Sequence, residues 1–218
     1  PTFFSSSNLE KLINGILSET DLANGYEFGF EGHPNYTSPE QLETLFNLGF
    51  RRVSFGVQDF DPAVQKAVHR EQPAEQVFAL VAEARRLGFV SINVDLIYGL
   101  PLQTPESFDR TLAQVNELRP DRIALYAYAH LPERFKPQRR IHAAELPLPG
   151  AKVAMLARSM DAFMDAGYVY VGMDHFALPD DALAGPSTPV SIEVRADGQV
   201  VQVINSSFLG PAKKGLHP

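Results

Sequence analysis

The sequence predicts an α/β fold, and within that class a barrel or part-barrel, on two observations. Strand-like and helix-like segments alternate at intervals of about 30 to 40 residues, the rhythm of βαβ units with parallel strands. Each predicted strand stops at polar residues: Glu31, Gln58, Asp95, the Tyr128 to His130 region, and Asp174-His175. Polar ends on all five strands favour convergence on one mouth. An open doubly wound sheet, the competing architecture, gathers its ligand groups at a single switch point.

The elements follow in order. Leu9, Leu12, Ile13, Ile16 and Leu17 make a helical stripe over Asn8 to Leu17. Tyr26 to Glu31 is a short aromatic strand closed by Gly32-His33-Pro34. Ser38-Pro39-Glu40-Gln41 carries a cap residue, a first-turn Pro and a Gln three positions on, so a helix starts there and runs to Leu48, stopped by Gly49. Arg52 to Val57 is a strand, Ala74 to Leu87 a helix ending at Gly88, and Phe89 to Tyr98 a strand. Thr104-Pro105-Glu106-Ser107 caps a helix to Leu118; Arg122 to Tyr128 is a strand; Gly150 to Ala166 is a helix and Tyr168 to Met173 the last strand.

Beyond Ala184 the pattern changes. Gly185-Pro186-Ser187-Thr188-Pro189 reads as a linker, and Val190 to Ala196 and Gln199 to Ile204 alternate around Asp197-Gly198, a hairpin signal. Residues 210–215 look frayed. The expected division is therefore a barrel core over 1–184 and a linker with a hairpin-like tail over 185–218.

Composition narrows the function. With 44% hydrophobic and 21% charged residues, the 218-residue chain has the makeup of an ordinary globular protein. Its apolar runs are too short to span a membrane. A net charge of −7 argues against non-specific nucleic-acid binding. Lys136, Arg139 and Arg140 form one basic cluster, a solvated loop or a seat for an acidic substrate. The chain has no cysteine, which removes disulfides, thiolate metal sites and a Cys nucleophile, and fits a reducing compartment. The N-terminal Pro1-Thr2-Phe3-Phe4-Ser5, with neither an initiator Met nor a signal segment, reads as a cut end.

Asn93-Val94-Asp95-Leu96-Ile97-Tyr98-Gly99-Leu100-Pro101 is the most informative stretch. A carboxylate inside an apolar strand must pair, hydrogen-bond or meet a ligand. Glu31, Gln58, Arg70 and Asp95 occupy comparable places in successive units. Ion pairing between strand ends and loops would account for any one of them alone. Together, two carboxylates, an amide and a guanidinium suit a small molecule bearing hydroxyls, an amine and a carboxylate. His130 and His175 follow strand ends; His175 is a candidate substrate contact, whereas Asp174 and His175, as neighbours on a strand, would point to opposite faces. There is no Gly-rich phosphate loop and no His-x-x-x-His spacing.

Four segments carry a resemblance. Phe55-Gly56-Val57-Gln58-Asp59-Phe60-Asp61-Pro62, Asn93 through Pro101, Tyr128-Ala129-His130-Leu131-Pro132 and Gly172-Met173-Asp174-His175-Phe176-Ala177 are similar to the oxygen-independent coproporphyrinogen III oxidases, radical S-adenosylmethionine (SAM) enzymes of haem biosynthesis. The likeness runs collinearly from Pro1 to about Ala184, and Pro1-Thr2 resembles the end of the family's Gly-Gly-Gly-Thr-Pro element. It implies a partial barrel of the radical SAM type with a [4Fe–4S] cluster at its mouth. It also implies a cytoplasmic, monomeric enzyme that uses a SAM-derived radical to convert two propionates of coproporphyrinogen III into vinyl groups with loss of carbon dioxide. Glu31, Gln58, Arg70, Asp95 and Ala129 fall where the family contacts SAM. Asp95 suits the ribose hydroxyls, and Ala129 contact by backbone and apolar surface. A basic loop at Lys136 to Arg140 meeting the substrate's propionates is a hypothesis from charge alone.

Related haem-chaperone proteins share the Asp95 to Pro101 motif, but the other three segments side with the oxidase. An unrelated barrel enzyme acting on a polar metabolite is the reading independent of resemblance. Two departures stand out. The family's Cys-x-x-x-Cys-x-x-Cys segment has no counterpart here, so no radical chemistry is expected from this polypeptide alone. The family's His-Arg-Asn-Phe-Gln-Gly-Tyr segment is not matched beyond Ala184. With two barrel strands expected to be missing, Tyr26 to Glu31 would be an exposed edge beside an uncovered apolar interior, predicting poor solubility.

Overall fold

The computed structural model describes residues 2–22 and 26–179, together with 187–196 and 199–209 as backbone. Six helices and eight strands alternate among them: α1 Ser6–Ser18, β1 Phe28–Gly32, α2 Pro39–Asn47, β2 Phe50–Gln58, α3 Pro62–Ala67, α4 Ala74–Leu87, β3 Ser91–Tyr98, α5 Pro105–Leu118, β4 Arg122–Ala127, α6 Pro149–Asp165, β5 Val169–Gly172, β6 His175–Ala177, β7 Ser187–Ala196 and β8 Gln199–Leu209. No helix among the described residues is long and apolar enough to cross a membrane.

Local chemistry sets most boundaries. At α2, Ser38 Oγ accepts from the Gln41 amide at 3.1 Å and Gln41 Oε1 accepts from the Ser38 amide at 2.8 Å, the reciprocal cap expected from the sequence. Gln41 also donates to the Thr2 and Phe4 carbonyls at 3.0 and 2.6 Å, tying the start of the chain to α2. Thr104 and Ser107 cap α5 in the same way. The short α3 and three 3₁₀ turns, at Pro34–Tyr36, Lys136–Arg140 and Ala143–Glu145, go beyond the sequence reading.

The main sheet has the order β1-β2-β3-β4-β6-β5. The first four strands are parallel, as expected from the βαβ rhythm. The last unit is different. The strand expected over Tyr168 to Met173 does not lie beside β4; β6 lies between β4 and β5 and is antiparallel to both. Gly172, Met173 and Asp174 have φ of 102°, 49° and 62°, and this left-handed run reverses the chain. Asp174 is therefore a turn residue and His175 opens β6, so they are not neighbours at the end of one strand. Within the described residues the sheet is open, with β1 and β5 at its edges, an arrangement compatible with a partial barrel.

Alternation along the central strands sorts the two faces. Val53, Phe55 and Val57 of β2, and Ile92, Val94, Leu96 and Tyr98 of β3, are buried against the helices together with Leu42, Leu45, Val77, Leu80, Phe108, Leu112 and Val115. The opposite face carries Glu31, Arg52, Ser54, Asn93, Asp95, Arg122, Tyr126 and His175 around an open cavity of about 500 Å³. The expected apolar interior is thus not present: that face is polar. Exposed apolar groups lie elsewhere, as at Leu12 and Ile16 of α1 and at Phe3 and Leu148.

The tail forms its own two-stranded sheet, β7 antiparallel to β8, with Ile192 opposite Ile204 and Ala196 opposite Gln199. Ser187, Thr188 and Pro189, read as linker, belong to β7. Gly185-Pro186, the Asp197-Gly198 turn and residues 210–215 lie outside the described residues.

Candidate functional site

A cleft of about 480 Å³ opens at the C-terminal ends of β1 to β3 and is lined by Thr2, Phe3, Glu31, Gly32, His33, Tyr36, Gly56, Gln58, Arg70 and Asp95. Four of the five residues expected at a ligand site meet here. Register explains the gathering: Glu31 lies opposite Ser54, and Gly56 opposite Asp95, so the side chains emerge on one face. Ala129 does not line this cleft; it is exposed, and its carbonyl accepts from Gln138 Nε2 at 3.0 Å.

Asp95 is fixed on both oxygens. Asn93 Nδ2 donates to Oδ1 at 2.7 Å and Ser54 Oγ donates to Oδ2 at 3.2 Å. Burial raises its pKa above the ordinary carboxylate value; the two hydrogen bonds oppose that shift, and the Glu31 charge adds to it. Arg70 donates from Nη2 to the Gly56 carbonyl at 2.7 Å. Its guanidinium lies so close over the strand that a Cβ on residue 56 would sit 2.7 Å from Nη2, which explains the glycine. Burial lowers the Arg70 pKa while the Asp95 charge raises it. His33 is pushed down, by burial first and by the Arg70 charge second.

Gln58 sits on a strained support. Its φ is 70° and the Asp59 amide donates back to the Val57 carbonyl at 2.9 Å, a tight three-residue turn where the β2–β3 register slips by one residue. A buried scaffold holds it there. Gln72 donates to the Val57 and Gly56 carbonyls, and Gln65 donates to the carbonyls of Asp59 and Gln72 at 2.8 and 2.9 Å. The Asp59 carboxylate accepts from the Asp61 amide at 2.6 Å, Thr111 Oγ1 at 2.8 Å and Gln103 Nε2 at 2.5 Å. Burial still pushes the Asp59 carboxyl up. Gln103 also accepts from the Leu100 amide and donates to the Ile97 carbonyl, so one network joins the ends of β2 and β3. At the Gly-Leu-Pro stop, Gly99 has φ 87°, and a Cβ there would lie 2.5 Å from Lys152 Cε, whose ammonium donates to the Tyr128 carbonyl.

Two buried polar atoms in the cleft, Gln58 Oε1 and Arg70 Nε, have no hydrogen-bond partner. Unmade bonds of this kind are costly unless a ligand completes them. The donor set fits a zwitterionic nucleoside such as SAM: carboxylates for hydroxyls and an amine, a guanidinium for a carboxylate. It does not fit an iron–sulfur cluster. The chain has no cysteine, and among the described residues no group of three or more His, Asp or Glu is placed to hold a metal.

Of the remaining predicted residues, His130 lies outside this cleft, whereas His175 shares the open-face cavity with Glu31 and Asp95. His130 accepts or donates at Nδ1 with the Tyr128 hydroxyl at 3.2 Å, and His175 contacts the Met173 carbonyl at 2.6 Å with its ring edge-on to Tyr126 on the open face. A larger depression, about 730 Å³, lies on the helix side, lined from α3 to α5. Its charged pair Asp61 and Arg110 is mutually satisfied at 3.1 Å. The sequence reading missed Ser54, Asn93 and Gln72; the polar positions alternating through 52–58 and 91–95 were the available signal for the first two.

Comparison with known proteins adds the following. A family model described as the Radical SAM superfamily matches residues 2–115. An oxygen-independent coproporphyrinogen III oxidase from Pseudomonas aeruginosa is 51% identical over 186 residues, covering 84% of this chain and 40% of that protein. The protein of the same name from Escherichia coli K12 is 45% identical over 184 residues, with the same coverage of 84% and 40%. A solved structure of the Escherichia coli coproporphyrinogen III oxidase, described as a radical SAM enzyme, superposes with a TM-score of 0.82 at 44% identity, over 84% of this chain and 42% of that one. The chain thus spans about 40% of the length of the curated relatives it matches.

Proposed function

We propose, from the premise that this chain belongs to the Radical SAM superfamily, that it is the SAM-binding and substrate-facing part of an oxygen-independent coproporphyrinogen III oxidase. Such an enzyme is cytoplasmic and turns coproporphyrinogen III into protoporphyrinogen IX in haem biosynthesis. The identity to oxidases bearing that name over 84% of the chain supports the reaction. One observation carries the ligand: Glu31, Gln58, Arg70 and Asp95 converge on a single cleft in which Gln58 Oε1 and Arg70 Nε lack partners.

Each residue then has a task. Asp95, held by Asn93 and Ser54, accepts from the paired ribose hydroxyls. Arg70 donates to the amino-acid carboxylate, and Glu31 accepts from the ammonium group. Gln58 offers its amide from a turn whose strain the Gln72–Gln65–Asp59 scaffold supports. SAM, when bound and reductively cleaved, supplies a 5′-deoxyadenosyl radical able to abstract hydrogen from a propionate. The cluster's thiolate ligands are not among this chain's residues.

Calorimetric titration with SAM tests this reading. Glu31→Ala and Asp95→Ala should each weaken binding by roughly 1–3 kcal/mol, the scale for losing a buried polar partner. Unchanged affinity in both variants removes the site assignment, and haem binding in place of SAM binding moves the chain to the haem-chaperone branch.

A further inference from the structure

One wall of the cleft does not come from the sheet. Thr2 and Phe3 line it from a short strap that runs ahead of α1. A side chain outside the cleft holds that strap. Gln41, in the first turn of α2, is 8% exposed and is not among the residues that line the cleft. Its Nε2 donates to the Thr2 carbonyl at 3.0 Å and to the Phe4 carbonyl at 2.6 Å, one residue on either side of Phe3. Its Oε1 accepts from the Ser38 amide at 2.8 Å and so caps α2. A capping box uses only this second contact, and Glu serves there as well as Gln. The amide nitrogen is the part of Gln41 that the helix does not need, and it is the part that reaches the strap. Beyond Phe4 the strap is fixed again, because Ser5 caps α1. Thr2 is 6% exposed, whereas Phe3 between the two held carbonyls is 92% exposed. A ligand entering the cleft would take that apolar ring out of water.

We propose that Gln41 is a positioning residue for SAM: its amide nitrogen holds the Thr2–Phe4 strap as one wall of the cleft, and Phe3 is the surface which that wall lays against the bound ligand. The proposal rests on the SAM reading above and adds a wall that the strand ends do not supply. The start of α2 then joins two sides of the cleft, because the turn leading into its cap carries His33 and Tyr36, which also line it. SAM offers a flat adenine and a sulfonium cation, and both favour contact with an aromatic ring.

Calorimetric titration of SAM into the 218-residue chain and its variants, with thermal midpoints measured alongside, tests this. Gln41→Glu keeps the acceptor for the Ser38 amide and loses both bonds to the strap, so SAM should bind about three- to tenfold more weakly. Gln41→Lys keeps a donor for the strap and loses the cap. It should bind SAM more tightly than Gln41→Glu although its midpoint is the lower of the two, an order that a purely structural role for Gln41 would reverse. Phe3→Ala removes an exposed ring, so the midpoint should hold while SAM affinity falls about three- to tenfold. Because both positions act through one strap, the Gln41→Glu, Phe3→Ala double variant should lose less than the product of the single losses. The inference is overturned if Gln41→Glu or Phe3→Ala binds SAM like wild type, if Gln41→Lys binds no better than Gln41→Glu, or if the two losses multiply. Should Gln41→Glu fail to fold, Phe3→Ala decides by itself, and an unchanged affinity there overturns the inference. SAM binding by the wild-type chain in those cases leaves the functional reading standing; a wild-type chain that binds no SAM defeats that reading instead.

Discussion

The two faces of one sheet are built from the same strands and do opposite work. Along β2, Val53, Phe55 and Val57 go into the helix-covered core, while Arg52, Ser54, Gly56 and Gln58 face the open side. Fully enclosed parallel strands read as continuous apolar runs, and a closed barrel fills its interior with branched side chains. Here the interior positions hold Ser54, Asn93, Asp95 and Arg122. Stability comes from one side of each strand, leaving the other to bind.

That contrast can be broken from either side. The largest effect should come from Phe55→Ala, which empties a fully buried site on the helix face; about 3–5 kcal/mol of stability should be lost in denaturant titration. Next, Asp59→Asn turns an amide donor toward Gln103 Nε2 or Thr111 Oγ1, both of which now donate to the carboxylate. Roughly 1–3 kcal/mol should be lost, with weaker SAM binding because Gln58 loses its support. An unchanged melting midpoint would show that the network is dispensable.

Asp95→Asn should separate stability from binding. Burial raises the folded pKa of Asp95 above its unfolded value. The folded chain then binds that proton more tightly, and stability falls as pH rises between the two values. The neutral amide removes that cost, so the midpoint at neutral pH should rise slightly while SAM affinity drops. In the wild type, SAM affinity should fall on acidification at a pH above the ordinary carboxylate range, and Asp95→Asn should lack this dependence. The smallest effect belongs to Ser54→Ala on the open face, about 1 kcal/mol for the hydrogen bond it gives to Asp95. A loss equal to that of Phe55→Ala would mean the two faces are not divided in this way.

Much of this division was legible in the sequence. Capping residues and apolar periodicity placed α4 and α5 to the residue, because Thr104, Pro105 and the stop at Gly88 act locally. The convergence of Glu31, Gln58, Arg70 and Asp95 on one cleft was legible because polar side chains interrupt otherwise apolar strands at Glu31, Gln58 and Asp95, with Arg70 in the loop after α3. The β6 return was hidden because Met173 in the middle of the left-handed run gives no turn signal, although Gly172 and Asp174 on either side are residues that favour that conformation. The open face is polar where an apolar interior is expected, because alternate residues of β2 and β3 take opposite faces and the open set includes Ser54, Asn93 and Asp95. The Gln65–Gln72–Gln103 scaffold was invisible for another reason: glutamines in loops gain meaning only when folding brings their partners together.

Hydrogen exchange of the chain with and without SAM tests the central claim most directly. If the open face and its strand ends bind SAM, protection should rise in peptides covering residues 30–33, 54–59, 69–72 and 93–99. Peptides from α4 and α5 on the opposite face should exchange as before. Protection confined to the helices, or absent from the strand ends, would contradict the account.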